Sequence, residues 1–278
     1  MSKSMHWYDK DGNAVFEVAK AKGGGTRPTT IADARKLNLY PSVTTVLSVL
    51  AKPSLDDWKL TQVAERAYSN PPQDGEEASA YSRRIIDGAF EQVGEAADLG
   101  TRIHAAIEAH FKGEAVDDEM QVYVRPVVGA LERTGIKLLQ HELRLVNESE
   151  GYAGTTDAVM VLAGQQGILD FKSRKTKPGV LCEPWETEPM QIAAYTRAKF
   201  GPDHYMTVGA NVYISTTEPG RVEIVTYDDG QLHKAWHAFQ AANSLWQYLK
   251  KYLPVNEKPL PTTHSRQGSH QHDTLPLC

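Results

Sequence analysis

The segment from Tyr152 to Ser173 constrains this chain more than any other. Residues 152–162 are rich in β-forming types, residues 163–167 (Ala163, Gly164, Gln165, Gln166, Gly167) read as a turn, and Ile168 to Ser173 read as a returning strand. A short turn makes the two strands antiparallel neighbours. Asp157, toward the start of the first, and Asp170, toward the end of the second, then fall at the same end of a sheet. Asp170 and Lys172 are two apart and project from one face, while Leu169 and Phe171 turn the other way into a core. Gln191 and Tyr195 follow, one helical turn apart.

This grouping implies a chemistry. Carboxylate oxygens bind hard cations such as Mg²⁺ and Mn²⁺. A lysine beside them can hold a phosphate or an attacking water, and together these parts suit metal-assisted phosphodiester hydrolysis. A lone D-x-K in a strand is common and more often a strand-edge aspartate with a solvated lysine. Its weight here comes from the order of Gly154-Thr155-Thr156-Asp157, Leu169-Asp170-Phe171-Lys172 and Gln191…Tyr195 at short spacings, with a further element upstream. That element runs from Leu99 to Phe111. Ile103, Ile107 and Phe111 repeat at helical spacing, and His104 and Glu108 share a face. A single helical histidine is usually structural; here it brings one imidazole within reach of a carboxylate-held metal. His104 and Glu108 do not form H-E-x-x-H, so a zincin reading fails.

These elements, Gly100-Thr101-Arg102-Ile103-His104, Gly154-Thr155-Thr156-Asp157, Leu169-Asp170-Phe171-Lys172 and Gln191-Ile192-Ala193-Ala194-Tyr195, resemble those of the PD-(D/E)XK nuclease superfamily, and within it the RecB-type exonucleases. Tyr40-Pro41-Ser42-Val43-Thr44-Thr45-Val46-Leu47, followed by Trp58, is similar to segments of phage exonucleases and of the mitochondrial genome maintenance exonuclease. The likeness spans roughly residues 38–250 and departs at Thr156, where proline often precedes the aspartate. It implies an α/β fold with an αβββαβ core, a mixed central sheet and helical additions in front. It also implies roles. His104, Asp157 and Asp170 would ligate Mg²⁺ or Mn²⁺ by side chain, with the Phe171 carbonyl as a backbone ligand. Lys172 would position or activate water, or stabilise charge on the phosphate. Gln191 and Tyr195 would orient Lys172 and the substrate backbone. Some relatives use an upstream glutamate through water, which would make Glu142 a ligand; a salt-bridged strand residue is the competing reading.

Composition bounds the rest. The chain has 278 residues, enough for one large domain, and no apolar run long enough for a transmembrane helix. The N-terminal residues lack a signal core or a basic amphipathic leader, and two distant cysteines, Cys182 and Cys278, imply no disulfide framework; a cytoplasmic location, in a bacterial cell or phage-infected host, is the expectation. Two cysteines cannot supply the four thiolates of the usual iron–sulfur cluster, so none is expected.

A net charge of −5 argues mildly against a tight nonspecific nucleic-acid binder. Distribution matters more. Lys172 to Lys177 is a basic run leaving the proposed site, so Arg174 and Lys175 are expected to contact phosphates. Lys20, Lys22 and Arg27 flank a flexible Gly23-Gly24-Gly25 loop, either a second contact or a solvated loop. Trp185, in a Pro-Trp-Glu loop, is a candidate for stacking on bases. Trp58 on an amphipathic helix is better read as core, and His141 as structural.

Along the chain, residues 5–18 read as a hairpin turning at Asp9–Gly12, and residues 19–39 as loop with a short helix at 31–36. Helices follow at 42–50, from a Ser54 cap to about 68, at 76–92, 95–112 and 120–134. Then come strands 136–147, 152–162 and 167–173, a helix 186–200, strands 205–215 and 221–227, and a helix 229–252. Three regions result: 1–37, a hairpin and flexible loop; 38–253, the nuclease-like domain; and 254–278, a polar, disordered tail whose His264, His270 and His272 are better read as solvated than as metal ligands. The expectation is a metal-dependent exonuclease working on single-stranded or frayed DNA in phage-type recombination, replication or repair, with an annealing protein or helicase as partner and no membrane. A non-catalytic DNA-binding module and an RNA-processing nuclease are the alternatives. Lys172 is expected to matter little for folding, because Leu169 and Phe171 anchor its strand.

Overall fold

The computed structural model describes residues 5–202 and 207–254; the expected disordered tail and its three histidines lie outside the described residues. The chain opens with β1 (Trp7–Tyr8), β2 (Glu17–Ala19), β3 (Thr26–Pro28), α1 (Ile31–Leu37), β4 (Tyr40–Pro41), α2 (Val43–Leu47), α3 (Pro53–Ser69) and α4 (Ala78–Phe111). A 3-10 turn, Asp118–Met120, leads into α5 (Gln121–Thr134), β5 (Lys137–Asn147), β6 (Tyr152–Leu162) and β7 (Gln165–Arg174). Then come α6 (Thr187–Phe200), β8 (Val208–Ser215), β9 (Val222–Tyr227) and α7 (Asp229–Lys250).

The result is a mixed α/β architecture. Five strands lie in the order β5-β6-β7-β8-β9; only β7 and β8 run parallel among these neighbours. The parallel step follows from α6, because parallel neighbours need a crossover and a helix supplies it. Both faces are covered. Ile103 and Ile107 of α4 and Val124, Val127 and Leu131 of α5 pack on Met160, Leu169, Phe171 and Val212. On the other side Ile192 and Tyr195 of α6 and Trp236, Phe239 and Trp246 of α7 pack on Val159 and Ile168. Trp7 is fully buried in this second cluster, edge-on to Trp246 and Tyr252. Among the described residues no helix is long and apolar enough to cross a membrane.

The local expectations were altered in four places. The two helices expected at 76–92 and 95–112 are one helix, because a lone glycine such as Gly94 weakens a helix by about 1 kcal/mol without ending it. The helix expected from a Ser54 cap begins at Pro53, whose fixed φ suits a first helical turn, with Lys52 as cap. The turn at Asp9 forms, its carboxylate accepting the N–H groups of Asp11 and Asn13, but β1 takes its main partner from Tyr40–Pro41. A second hairpin, β2–β3, closes over the glycine loop expected to be free of strands, and Arg27 there pairs with Asp33 at 2.6 Å.

Candidate active site

The site is made where a sheet comes apart. β6 and β7 pair from Leu162↔Gln165 to Ala158↔Leu169 and no further. Beyond that point β6 stays with β5 and β7 stays with β8, leaving a fork. Asp157 and Asp170 are the first residues past the split. Across it, Asp157 Oδ2 accepts the Phe171 backbone N–H at 2.6 Å, replacing the ladder bond the splayed strand no longer supplies.

Helices bring the remaining groups from either side of the sheet. From α4, His104 Nδ1 lies 3.7 Å from Asp157 Oδ2. On β7, Lys172 Nζ lies 2.6 Å from Asp170 Oδ2. From α6, Gln191 joins the two: its Oε1 accepts from Lys172 at 2.9 Å and its Nε2 donates to Asp170 Oδ1 at 3.3 Å. Tyr195, one turn on, lies against Gly154; a Cβ there would come within 2.7 Å of its ring, so the glycine of the Gly154-Thr155-Thr156-Asp157 element is space for the tyrosine.

The electrostatics follow from two carboxylates in a largely buried fork. Burial, then the Asp170 charge, hold Asp157 well above the usual carboxylate range. Burial opposes the Lys172 charge, but Asp170 and then Asp157 outweigh it, so the ammonium sits above its ordinary value. Burial pulls His104 down against the opposing Asp170 charge, with a smaller push from Lys172, which favours the neutral imidazole that can ligate a metal. Burial and Asp170 both push the Tyr195 phenol up, so it stays protonated.

The donor set fits a hard cation. Asp170 Oδ2 is buried with the Lys172 ammonium 2.6 Å away, and a carboxylate oxygen can accept from more than one partner. His104, Glu108, Glu142 and Asp157 contribute to the lining of a cavity of about 10 Å³, the space of a water or an ion. Among the described residues, however, no three His, Cys, Asp or Glu side chains already converge on one point.

Other expected residues divide. Lys175 and Trp185 are exposed. Arg174 is committed to protein partners instead of an open phosphate path: it pairs with Glu188 at 2.6 Å, donates to the Glu183 carbonyl and lies over the Trp185 and Tyr213 rings. Glu188 escaped the sequence reading, although Glu188, Gln191 and Tyr195 share a helix face at a spacing that could have revealed it. Glu142 lines the cavity with φ of 47°, in the left-handed region that few non-glycine residues adopt. Glu142 remains solvent-exposed; partial burial, then the Glu108 charge, raise its carboxyl.

No family model and no curated protein matches the chain. Among solved structures it is similar to a candidate exonuclease from Eubacterium rectale, with a TM-score of 0.37 and 15% identity over 62% of this chain and 73% of that one. It is similar also to SSO0001, with a TM-score of 0.28 and 16% identity over 66% and 85%. Likenesses this slight carry no argument, and the functional reading rests on the site itself.

Proposed function

We propose that this chain is a Mg²⁺- or Mn²⁺-dependent deoxyribonuclease of the PD-(D/E)XK type, an exonuclease acting on single-stranded or frayed DNA ends in recombination, replication or repair. One observation carries the reading: Asp157, Asp170 and Lys172 meet in the β6–β7 fork, with Gln191 bridging the last two. Asp157 and Asp170, with His104 and the Phe171 carbonyl, would hold the cation, which when bound supplies positive charge against the phosphate and a more acidic water. The chain's own groups do the rest. The Lys172 ammonium faces the charge that builds on the phosphoryl oxygens as the water oxygen bonds to phosphorus and the bond to the leaving oxygen breaks. Gln191 fixes that ammonium beside Asp170, and Tyr195 fixes the end of α6 that carries Gln191. No residue here needs to form a covalent intermediate. An annealing protein or a helicase would be a natural partner for such an activity.

A DNA-binding module without catalysis is the second reading. It is favoured by the partners that Asp157 and Asp170 already have within the chain. Incubation with Mn²⁺ or Mg²⁺ and end-labelled single-stranded, duplex and circular DNA, and RNA, separates them. Degradation of linear DNA that stops in EDTA supports the exonuclease, and the labelled end gives its polarity. Binding without cleavage in either metal would establish the module, and cleavage confined to RNA an RNA-processing nuclease.

A further inference from the structure

Trp185 stands 59% exposed in the loop between β7 and α6, yet both its backbone and its ring are fixed. The Arg174 guanidinium lies over both rings, 4.3 Å from the indole centroid and 4.5 Å from that of Tyr213. That guanidinium is itself held, donating to the Glu183 carbonyl and to Glu188 Oε1, each at 2.6 Å. Glu188, buried on α6, uses its second oxygen to accept the Tyr213 hydroxyl at 2.7 Å and the Trp185 backbone N–H at 2.9 Å. One carboxylate thus ties together a group of indole, guanidinium and phenol.

The group adjoins the fork. Arg174 is two residues beyond Lys172 on β7, about 6.6 Å along the strand, and Tyr213 is the β8 register partner of Lys172. That displacement is about two steps of a stacked strand at ~3.4 Å each. Lys175 and Lys177 are exposed nearby, the charge expected beside a phosphate backbone. An aromatic face held in place before binding loses little side-chain freedom on contact.

Resting on the nuclease reading above, we propose that Trp185, braced by Arg174, Tyr213 and Glu188, is a preformed platform on which an unpaired nucleobase stacks beside the Lys172 cluster. Arg174 then acts as the support beneath the indole and not as a phosphate ligand. Because every base offers a π-face, the platform selects single strands without selecting sequence.

The test uses the full chain in Ca²⁺ with two fluorescent oligomers of equal length, oligo(dT) and its fully abasic counterpart. Trp185→Ala is expected to weaken oligo(dT) binding roughly ten- to hundredfold and to leave the abasic oligomer unchanged, with Trp185→Phe recovering most of the loss. Arg174→Met should likewise affect only the base-bearing oligomer. Equal weakening of both oligomers by Trp185→Ala, no weakening of either, or failure of the parent to bind either would overturn the platform. Cleavage by the parent in Mn²⁺ is measured separately. A base-dependent Trp185 effect in a protein that never cleaves would keep the platform and reject the nuclease.

Discussion

Replacing Lys172 with methionine should separate the folding role of this residue from its chemical one. Asp170 and Lys172 side chains are only 5% and 25% exposed, with 2.6 Å between charges. That places them with buried pairs, where removing one partner costs about 3–5 kcal/mol, not with surface pairs worth about 0–1. The burial argues against the expectation that Lys172 matters little for folding: the strand is anchored by apolar neighbours, but Asp170 would be left buried without its cation. In a domain of this size the loss should lower the melting temperature in EDTA by roughly 6–20 °C. A divalent cation should then recover part of it, about 2.7 kcal/mol at a hundredfold excess over Kd, because the uncompensated carboxylates gain a substitute charge. Circular-dichroism melts with EDTA and with Mn²⁺ measure both effects. Single-turnover cleavage, normalised to folded protein in Mn²⁺, should still fall by about a hundredfold or more, roughly 2.7 kcal/mol of transition-state stabilisation. A variant melting within about 2 °C of the parent in EDTA would refute the folding argument, and one cleaving like the parent would refute the chemical one.

Other outcomes follow from single contacts. Gly154→Ala drives a methyl into the Tyr195 ring, so it should cost about 1–3 kcal/mol and slow cleavage more than it weakens DNA binding; an unchanged melt with full activity would mean the tyrosine yields freely. The joint change of Lys175 and Lys177 to alanine should lower the salt slope of single-strand binding by about 1.4, read from titrations over a range of NaCl. Glu142→Gly relieves a left-handed backbone worth about 1–2 kcal/mol against about 0.5–1 of added unfolded-state freedom. The variant should melt slightly higher while cleaving more slowly, and a lower melting temperature would show that no strain is stored there.

Much of this molecule was legible in the chain because its signals are local. The β6–β7 hairpin shows in its β-formers and turn, α6 in the spacing of Gln191 and Tyr195, and the convergence of Asp157, Asp170 and Lys172 in strand parity. What was hidden depends on partners far away in sequence. Arg174 reads as one cation in a basic run, and nothing near it announces Glu188 on α6 or Tyr213 on β8, which claim it. Lys172 is legible as a neighbour of Asp170, but the burial that makes the pair matter for folding is not: their side chains are only 25% and 5% exposed. The pairing of β1 with Tyr40–Pro41 likewise joins segments whose apolar patterns are too short to select each other.

The fork explains why these carboxylates stand together despite the cost of burying them. A regular antiparallel pair would continue past Ala158 and Leu169, satisfying each N–H with a neighbouring carbonyl. Here β6 keeps its pairing with β5 out to Tyr152, while β7 keeps its parallel register with β8 through Arg174. The two strands must then separate, and the Phe171 N–H would be orphaned inside the protein, a loss of about 1–3 kcal/mol. Asp157 prevents that loss; burial and Asp170 hold its carboxyl high, and the Lys172 ammonium acts against them. The sheet geometry thus sets two carboxylates beside one ammonium in the fork, and under the proposed nuclease reading a divalent ion would add the positive charge that such a pair favours.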